Sequence, residues 1–263
     1  MDYVALQVLL CQVIAFSIVG ICSNQIFAAS ETAENTQDFE LSGNITLTSD
    51  YRFRGITQTQ TDPAIQGTAT LTHKSGLYFS AFASNVDYGT ADPHMELDPS
   101  IGYSTPLKLS SSVPVTLDIG ASYYNYISGN EGDYAELYAR LILERILIND
   151  DSLLTSLSYT NDYAGQDKNS WNATLGYAVP LAQTNFGAVA SIGYTTVDDY
   201  DFNQQGENSY FDYKAGLTYN FASFPDASAE LAVVGTNLDK DALDHAGKRG
   251  VDTGAVFTLT KAF

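Results

Sequence analysis

FDYKAGLTYNF, from Phe211 to Phe221, alternates without a break. Phe211, Tyr213, Ala215, Leu217, Tyr219 and Phe221 fall on one face, and Asp212, Lys214, Gly216, Thr218 and Asn220 on the other. Successive side chains of an extended strand point to opposite sides, so this segment reads as a strand with one apolar and one polar face. The same rule holds outward from it. Trp171, Ala173, Leu175, Tyr177 and Val179 oppose Asn172, Thr174 and Gly176; Val115, Leu117, Ile119, Ala121 and Tyr123 oppose Thr116, Asp118, Ser122 and Tyr124. From Leu41 to Gly55, Leu41, Gly43, Ile45, Leu47, Tyr51 and Phe53 oppose Ser42, Asn44, Thr46, Thr48, Asp50, Arg52 and Arg54. About twelve such segments follow one another, near 41–55, 63–73, 76–88, 95–105, 113–127, 133–147, 152–163, 168–180, 185–197, 210–222, 227–237 and 251–263. Two of them, Leu77 to Asp87 and Ser152 to Asp162, leave their phase open, and no sustained amphipathic helix interrupts the series.

Alternation alone suits a soluble sandwich as well as a membrane barrel; length, connections and charge choose between them. Segments of eleven to fifteen residues exceed the roughly 5–6 of globular strands and satisfy the roughly 9–11 that a tilted membrane strand needs. Connections after the second, sixth, eighth and tenth segments are short (HKSG, INDD, LAQTN, ASFPDA) and the one after the fourth (PLKLSSSV) is intermediate, whereas DDYDFNQQGENS and DKDALDHAGKRG after the ninth and eleventh are long. Short periplasmic turns and long external loops are the outer-membrane barrel rule. Charge parity agrees. Arg145 and Lys261 are the clear charges on the apolar faces, both at strand ends where they can snorkel. The polar faces carry Asp50, Arg52, Arg54, Glu96, Asp98, Asp118, Glu136, Arg140, Glu144, Asp212, Lys214, Glu230 and Asp252. The fold class expected is an all-β, antiparallel, up-and-down transmembrane β-barrel of about twelve strands over residues 40–263.

Composition narrows the function. Only 16% of the 263 residues are charged, below the roughly 25% of soluble domains. Twelve Lys and Arg against 31 Asp and Glu give a net charge of -19, which excludes a basic nucleic-acid footprint. The abundance of Tyr (18) and Phe (13) excludes a disordered acidic tail. Val4 to Ile21 is uncharged and leads to Ala28-Ala29-Ser30, which reads as a signal peptide over residues 1–30, cleaved near Ala29 or Ser30. An uncleaved anchor helix is the alternative, and the absence of Lys or Arg before Arg52 fits neither pattern. Residues 31–39 read as a flexible periplasmic lead. Both cysteines, Cys11 and Cys22, precede the cleavage point, so the mature chain has no disulfide, thiol nucleophile or thiolate metal site.

The stretch GNITLTSDYRFRGITQTQTDPAIQG, Gly43 to Gly67, resembles the opening strand and first external loop of the TorF family of porin-like proteins. SNVDYG (Ser84 to Gly89), ELDPSIGY (Glu96 to Tyr103) and the closing TLTKAF are similar to further blocks of that family. The resemblance spans essentially the mature chain and implies a bacterial outer-membrane barrel of porin type, with no established substrate to carry over.

Twelve strands enclose more than an eight-stranded barrel that side chains fill, and less than a wide 16–18-stranded porin. The candidate pore-lining residues are Asp50, Arg52, Arg54, Glu96, Asp98, Asp118, Glu136, Arg140, Asp212 and Lys214. Arg52 and Arg54 are expected to face Glu96 and Asp98 across the lumen, giving a transverse field; the excess of inward acids predicts a cation preference. The opposing expectation is an internal salt-bridge network that closes the barrel, leaving a structural or adhesive protein that acts through its loops. External acids Asp198, Asp199, Asp201, Glu207, Asp239, Asp241 and Asp244 match no calcium-loop spacing and read as solvated loop charge. Only His73, His94 and His245 are available for Ser–His or metal chemistry, all in predicted turns or loops, so neither catalysis, a metal nor a cofactor is expected. Expected partners are small polar solutes, outer-membrane lipid and lipopolysaccharide, and the barrel-assembly machinery through the terminal Phe263.

Overall fold

A computed structural model describes residues 38–89, 93–109, 113–129 and 132–263. The signal-peptide segment and the lead up to residue 37 lie outside the described residues. Twelve strands form the wall: β1 Phe39–Thr48, β2 Ala64–His73, β3 Leu77–Asn85, β4 Met95–Leu107, β5 Val115–Tyr124, β6 Tyr134–Glu144, β7 Ser152–Thr160, β8 Ser170–Pro180, β9 Phe186–Val197, β10 Ser209–Asn220, β11 Ala227–Thr236 and β12 Gly254–Ala262. Each pairs antiparallel with its sequence neighbours, and β1 pairs with β12 from Asn44↔Ala262 to Thr48↔Thr258, so the sheet closes into a barrel without an edge. Threonine hydroxyls reinforce the seam: Thr46 meets Thr260 at 3.0 Å and Thr48 meets Thr258 at 3.2 Å.

The two faces separate as the alternation requires. Leu41, Ile65, Ile101, Leu137, Leu217 and Leu231 point outward and are exposed, while Thr70, Ser80, Asp118, Arg140 and Asn172 point inward and are buried. Register settles the two segments whose phase the sequence leaves open. Pairing of Leu71 with Phe79 puts Leu77 and Phe79 outside, and pairing of Leu157 with Ala173 turns Ser152, Leu154, Ser156 and Ser158 into the lumen. Lys261 ends β12 against Asp226 at 3.7 Å and over the Phe224 ring, as a snorkelling side chain does.

Two expectations are corrected. The first strand does not run to Gly55: the chain leaves the wall after Thr48 and turns inward, so Tyr51 and Phe53 face the interior rather than lipid. Asp252 stands at the external mouth, half exposed and paired with Lys240, not in the lumen. The last external loop contains a short helix, α1 (His245–Val251), which Asp244 caps by accepting from Gly247 N at 2.8 Å.

Candidate functional site

The inward excursion between β1 and β2 builds a small hairpin, Arg52–Phe53 paired with Ile56–Thr57. Its two-residue turn is Arg54-Gly55, both at positive φ (49° and 80°), as a tight hairpin turn demands. Glycine is required at the second position, because a Cβ there would sit 2.7 Å from the Gly235 carbonyl oxygen and 2.9 Å from Asp212 Cβ. Asp50 ties the base. Its Oδ1 accepts from the Thr57 hydroxyl at 2.6 Å, and its Oδ2 accepts from Arg52 Nε at 2.5 Å. Arg52 also donates to the carbonyls of Gly55, Gly250 and Asp252, each at 3.0 Å, stitching the hairpin to the end of α1. Asp50 and Arg52 therefore hold the hairpin.

The tip crosses the barrel. Arg54 donates to Glu136 Oε2 at 2.6 Å, with both side chains almost wholly buried. Glu136 belongs to β6, five strands round from β1, so this ion pair spans the lumen. Phe53 meets the Tyr124 ring edge-on at 5.5 Å, Tyr51 lies 5.9 Å from Phe82, and Gly55 abuts β10 and β11. Above the hairpin the loops add an apolar cap. Tyr210, Leu238 and Val251 form a cluster against which Ile56, Phe202 and Leu243 pack. Tyr163, Tyr200 and Phe202 continue it, with ring centroids 5.4 Å and 4.7 Å apart. The external loops thus fold over the mouth: Asp201 shapes its own loop by accepting from Asn203 N, and Glu207 joins that loop to the next by accepting from Asp239 N.

Below the hairpin the lumen is unequal round its circumference. Toward β3–β6, Asp118 takes Arg140 at 3.3 Å and the Tyr78 hydroxyl at 2.7 Å; Tyr78 and Tyr138 hydroxyls meet at 2.5 Å, and Arg140 lies 4.0 Å over the Tyr138 ring. Toward β7–β8 the lining is small, and among the described residues the hydroxyls of Ser152, Ser156, Ser158 and Ser170 take no hydrogen bond. On the far side Lys214 meets Glu230 at 3.0 Å.

Every basic residue in the sequence-derived set is paired: Arg52 with Asp50, Arg54 with Glu136, Arg140 with Asp118, Lys214 with Glu230. None of these ion pairs goes to Glu96 or Asp98. The expected Arg52–Arg54 face opposite those acids is replaced by tyrosines, with Tyr51, Tyr88 and Tyr126 standing around them. Asp98 accepts from Asn125 N at 3.1 Å, Glu96 is 2% exposed, and Asp212 faces Arg54 with its Oδ2 unbonded. Once the pairs are subtracted, the lumen carboxyl groups left without a basic partner among the described residues are Glu96, Asp98, Glu144 and Asp212. Among the described residues no group of three His, Cys, Asp or Glu is arranged to hold a metal ion.

Residues 32–263 match one family of sequences, described as bacterial protein of unknown function (Gcw_chp). The chain belongs to the Gcw_chp family. No curated protein matches it. Among solved structures this Gcw_chp member is similar to the NanC porin, at 12% identity and a TM-score of 0.50, covering 85% of this chain and 98% of that one. It is also similar to a membrane protein solved in work on in-meso crystallization, at 9% identity and a TM-score of 0.51, covering 85% and 83%. OccD3 (OpdP) of Pseudomonas aeruginosa aligns at 12% identity and a TM-score of 0.46, over 88% of this chain and 66% of that one. At these identities the likeness to NanC and to the in-meso structure is one of fold, that of a porin-like β-barrel.

Proposed function

We propose that this Gcw_chp barrel is a narrow outer-membrane channel for passive diffusion of small polar solutes or ions, with a preference for cations, and that it is not an enzyme. The observation that carries the reading is the charge balance of the lumen, where all four basic side chains are neutralised by carboxylates and Glu96, Asp98 and Asp212 are not. A low-dielectric wall focuses such residual charge on the path of a permeating ion. The porin-like fold and the resemblance of Gly43–Gly67 to TorF-type porins support the same reading. Export by a signal peptide cleaved near Ala29 or Ser30, contact with lipopolysaccharide and recognition by the assembly machinery through Phe263 belong to it; Phe263 lies exposed at the end of the closing strand.

One observation favours a second reading. The hairpin, its Arg54–Glu136 pair and the cluster above it lie across the external end, as a closing network does. In that case the barrel acts through its loops. Planar-bilayer recording of the refolded barrel decides between them. Discrete conductance steps support the channel; silent membranes containing barrels shown to be inserted by heat-modifiable gel mobility refute it.

A further inference from the structure

Glu96 and Asp98 are consecutive inward residues of β4, within hydrogen-bond reach of each other and buried to 2% and 5% exposure. Two carboxyl groups this close in a poorly solvated site need a compensating positive charge or a shared proton. The protein supplies little. The four lumen bases are committed elsewhere, and the polar neighbours are the Asn125 N–H on Asp98 and the side chains of Tyr51 and Tyr126 beside Glu96. Asp133, which holds Asn125 and Tyr126 in place, adds a further negative charge behind the pair. Among the described residues Glu96 Oε2 has no hydrogen-bond partner, an expensive condition for an atom so buried. The third ring, Tyr88, meets Tyr126 edge-on at 5.9 Å and is 39% exposed, the most accessible member of the cluster.

We propose that Glu96, Asp98 and the rings of Tyr51, Tyr88 and Tyr126 form a binding site for a small organic cation of the alkylammonium class. An ammonium group gains from carboxylates and from aromatic rings together, and here the carboxyl pair has the tyrosines Tyr51, Tyr88 and Tyr126 around it and no ion pair to a lumen base among the described residues. A divalent metal fits less well, since calcium takes six to eight oxygen ligands and no group of three metal-ligating side chains is present among the described residues. The site lies at the entrance of the channel proposed above. The inference rests on that reading for its use, as the point where a cationic solute first docks.

Calorimetric titration of the refolded full barrel in detergent with tetramethylammonium chloride tests it without requiring conduction. Saturable binding is expected, weakened about tenfold or more by Glu96→Gln. Tyr88→Ala, which removes a ring at the mouth and leaves the carboxyl pair untouched, should weaken it as well. Absence of binding overturns the proposal and leaves a shared proton as the resolution of the pair. Binding of calcium but not of tetramethylammonium overturns the ligand class, and affinity unchanged in both variants overturns the location. Conductance recorded in parallel separates the two readings. Binding without conductance steps sinks the channel and keeps the site; steps without binding do the reverse.

Discussion

Removing the Arg54 guanidinium would strand Glu136, itself only 3% exposed, as a buried carboxylate facing the hairpin. Breaking one side of a buried pair costs about 3–5 kcal/mol, whereas replacing both partners by apolar residues is often near neutral. Arg54→Leu should therefore lower the urea midpoint of the barrel in micelles, and the double variant Arg54→Leu with Glu136→Leu should recover most of the loss. Equal losses in the single and double variants would mean the pair does not couple. Asp151, in the turn between β6 and β7, gives a pH-dependent case. Burial works against its charge, but the Tyr177 hydroxyl and the backbone N–H groups of Ile148, Leu147 and Ile146 outweigh it and hold the carboxyl at about 2. A depressed carboxylate stabilises the fold fully above the ordinary aspartate range, near pH ~4, and that contribution drains away as pH falls through the folded value. Asp151→Asn should accordingly destabilise at pH 7, with the gap from wild type closing as the pH is lowered from 5 toward 2. A gap independent of pH would contradict the assignment. Parity alone marks Asp118 and Arg140 as inward residues. It could not show that Arg54 would travel across the barrel to Glu136, because that pairing depends on where the chain leaves the wall.

The hairpin is the element that alternation concealed. SDYRFRG continues the two-residue period of β1, so Tyr51 and Phe53 read as lipid-facing when they are in fact interior. The break is made by Arg54-Gly55, a pair at positive φ that lacks the Asn or Asp usual in such turns. β3 and β7 were ambiguous for a different reason: Ser80, Ala81, Ala83 and Ser84, like Ser156 and Ser158, are small enough for either face, and only pairing with larger neighbours fixes them. Apart from Glu207 the loop acids are exposed, as solvated charge is; what the sequence does not reveal is that Phe202, Leu238 and Leu243 gather over the mouth. Replacing residues 51–58 by a Gly-Ser linker should remove the obstruction and raise single-channel conductance several-fold, with the wall intact by circular dichroism. Unchanged conductance would place the constriction elsewhere. A milder version is Gly55→Ala, which forces a Cβ against the Gly235 carbonyl and should increase current noise through a displaced hairpin.

For the barrel as a whole, inversion of the ordinary inside-out pattern is what the sequence displayed most openly, since twelve long segments repeat it. The apolar exterior makes a direct prediction about the solvent. Ile192 stands outward at mid-strand in β9, while its neighbour Ser191 faces in. Ile192→Arg should cost about 2–4 kcal/mol of folding free energy in phospholipid vesicles, and Ser191→Arg should instead alter ion selectivity. The converse order would place lipid on the wrong face. Selectivity is also where the account is most exposed. Among the described residues the lumen retains Glu96, Asp98, Glu144 and Asp212 after its four basic residues are paired. The decisive measurement is the reversal potential of single inserted barrels under a potassium chloride gradient. The account predicts a potential of the sign set by potassium permeation, reduced when Asp212 is changed to Asn. A reversal potential near zero, or one set by chloride, would contradict it.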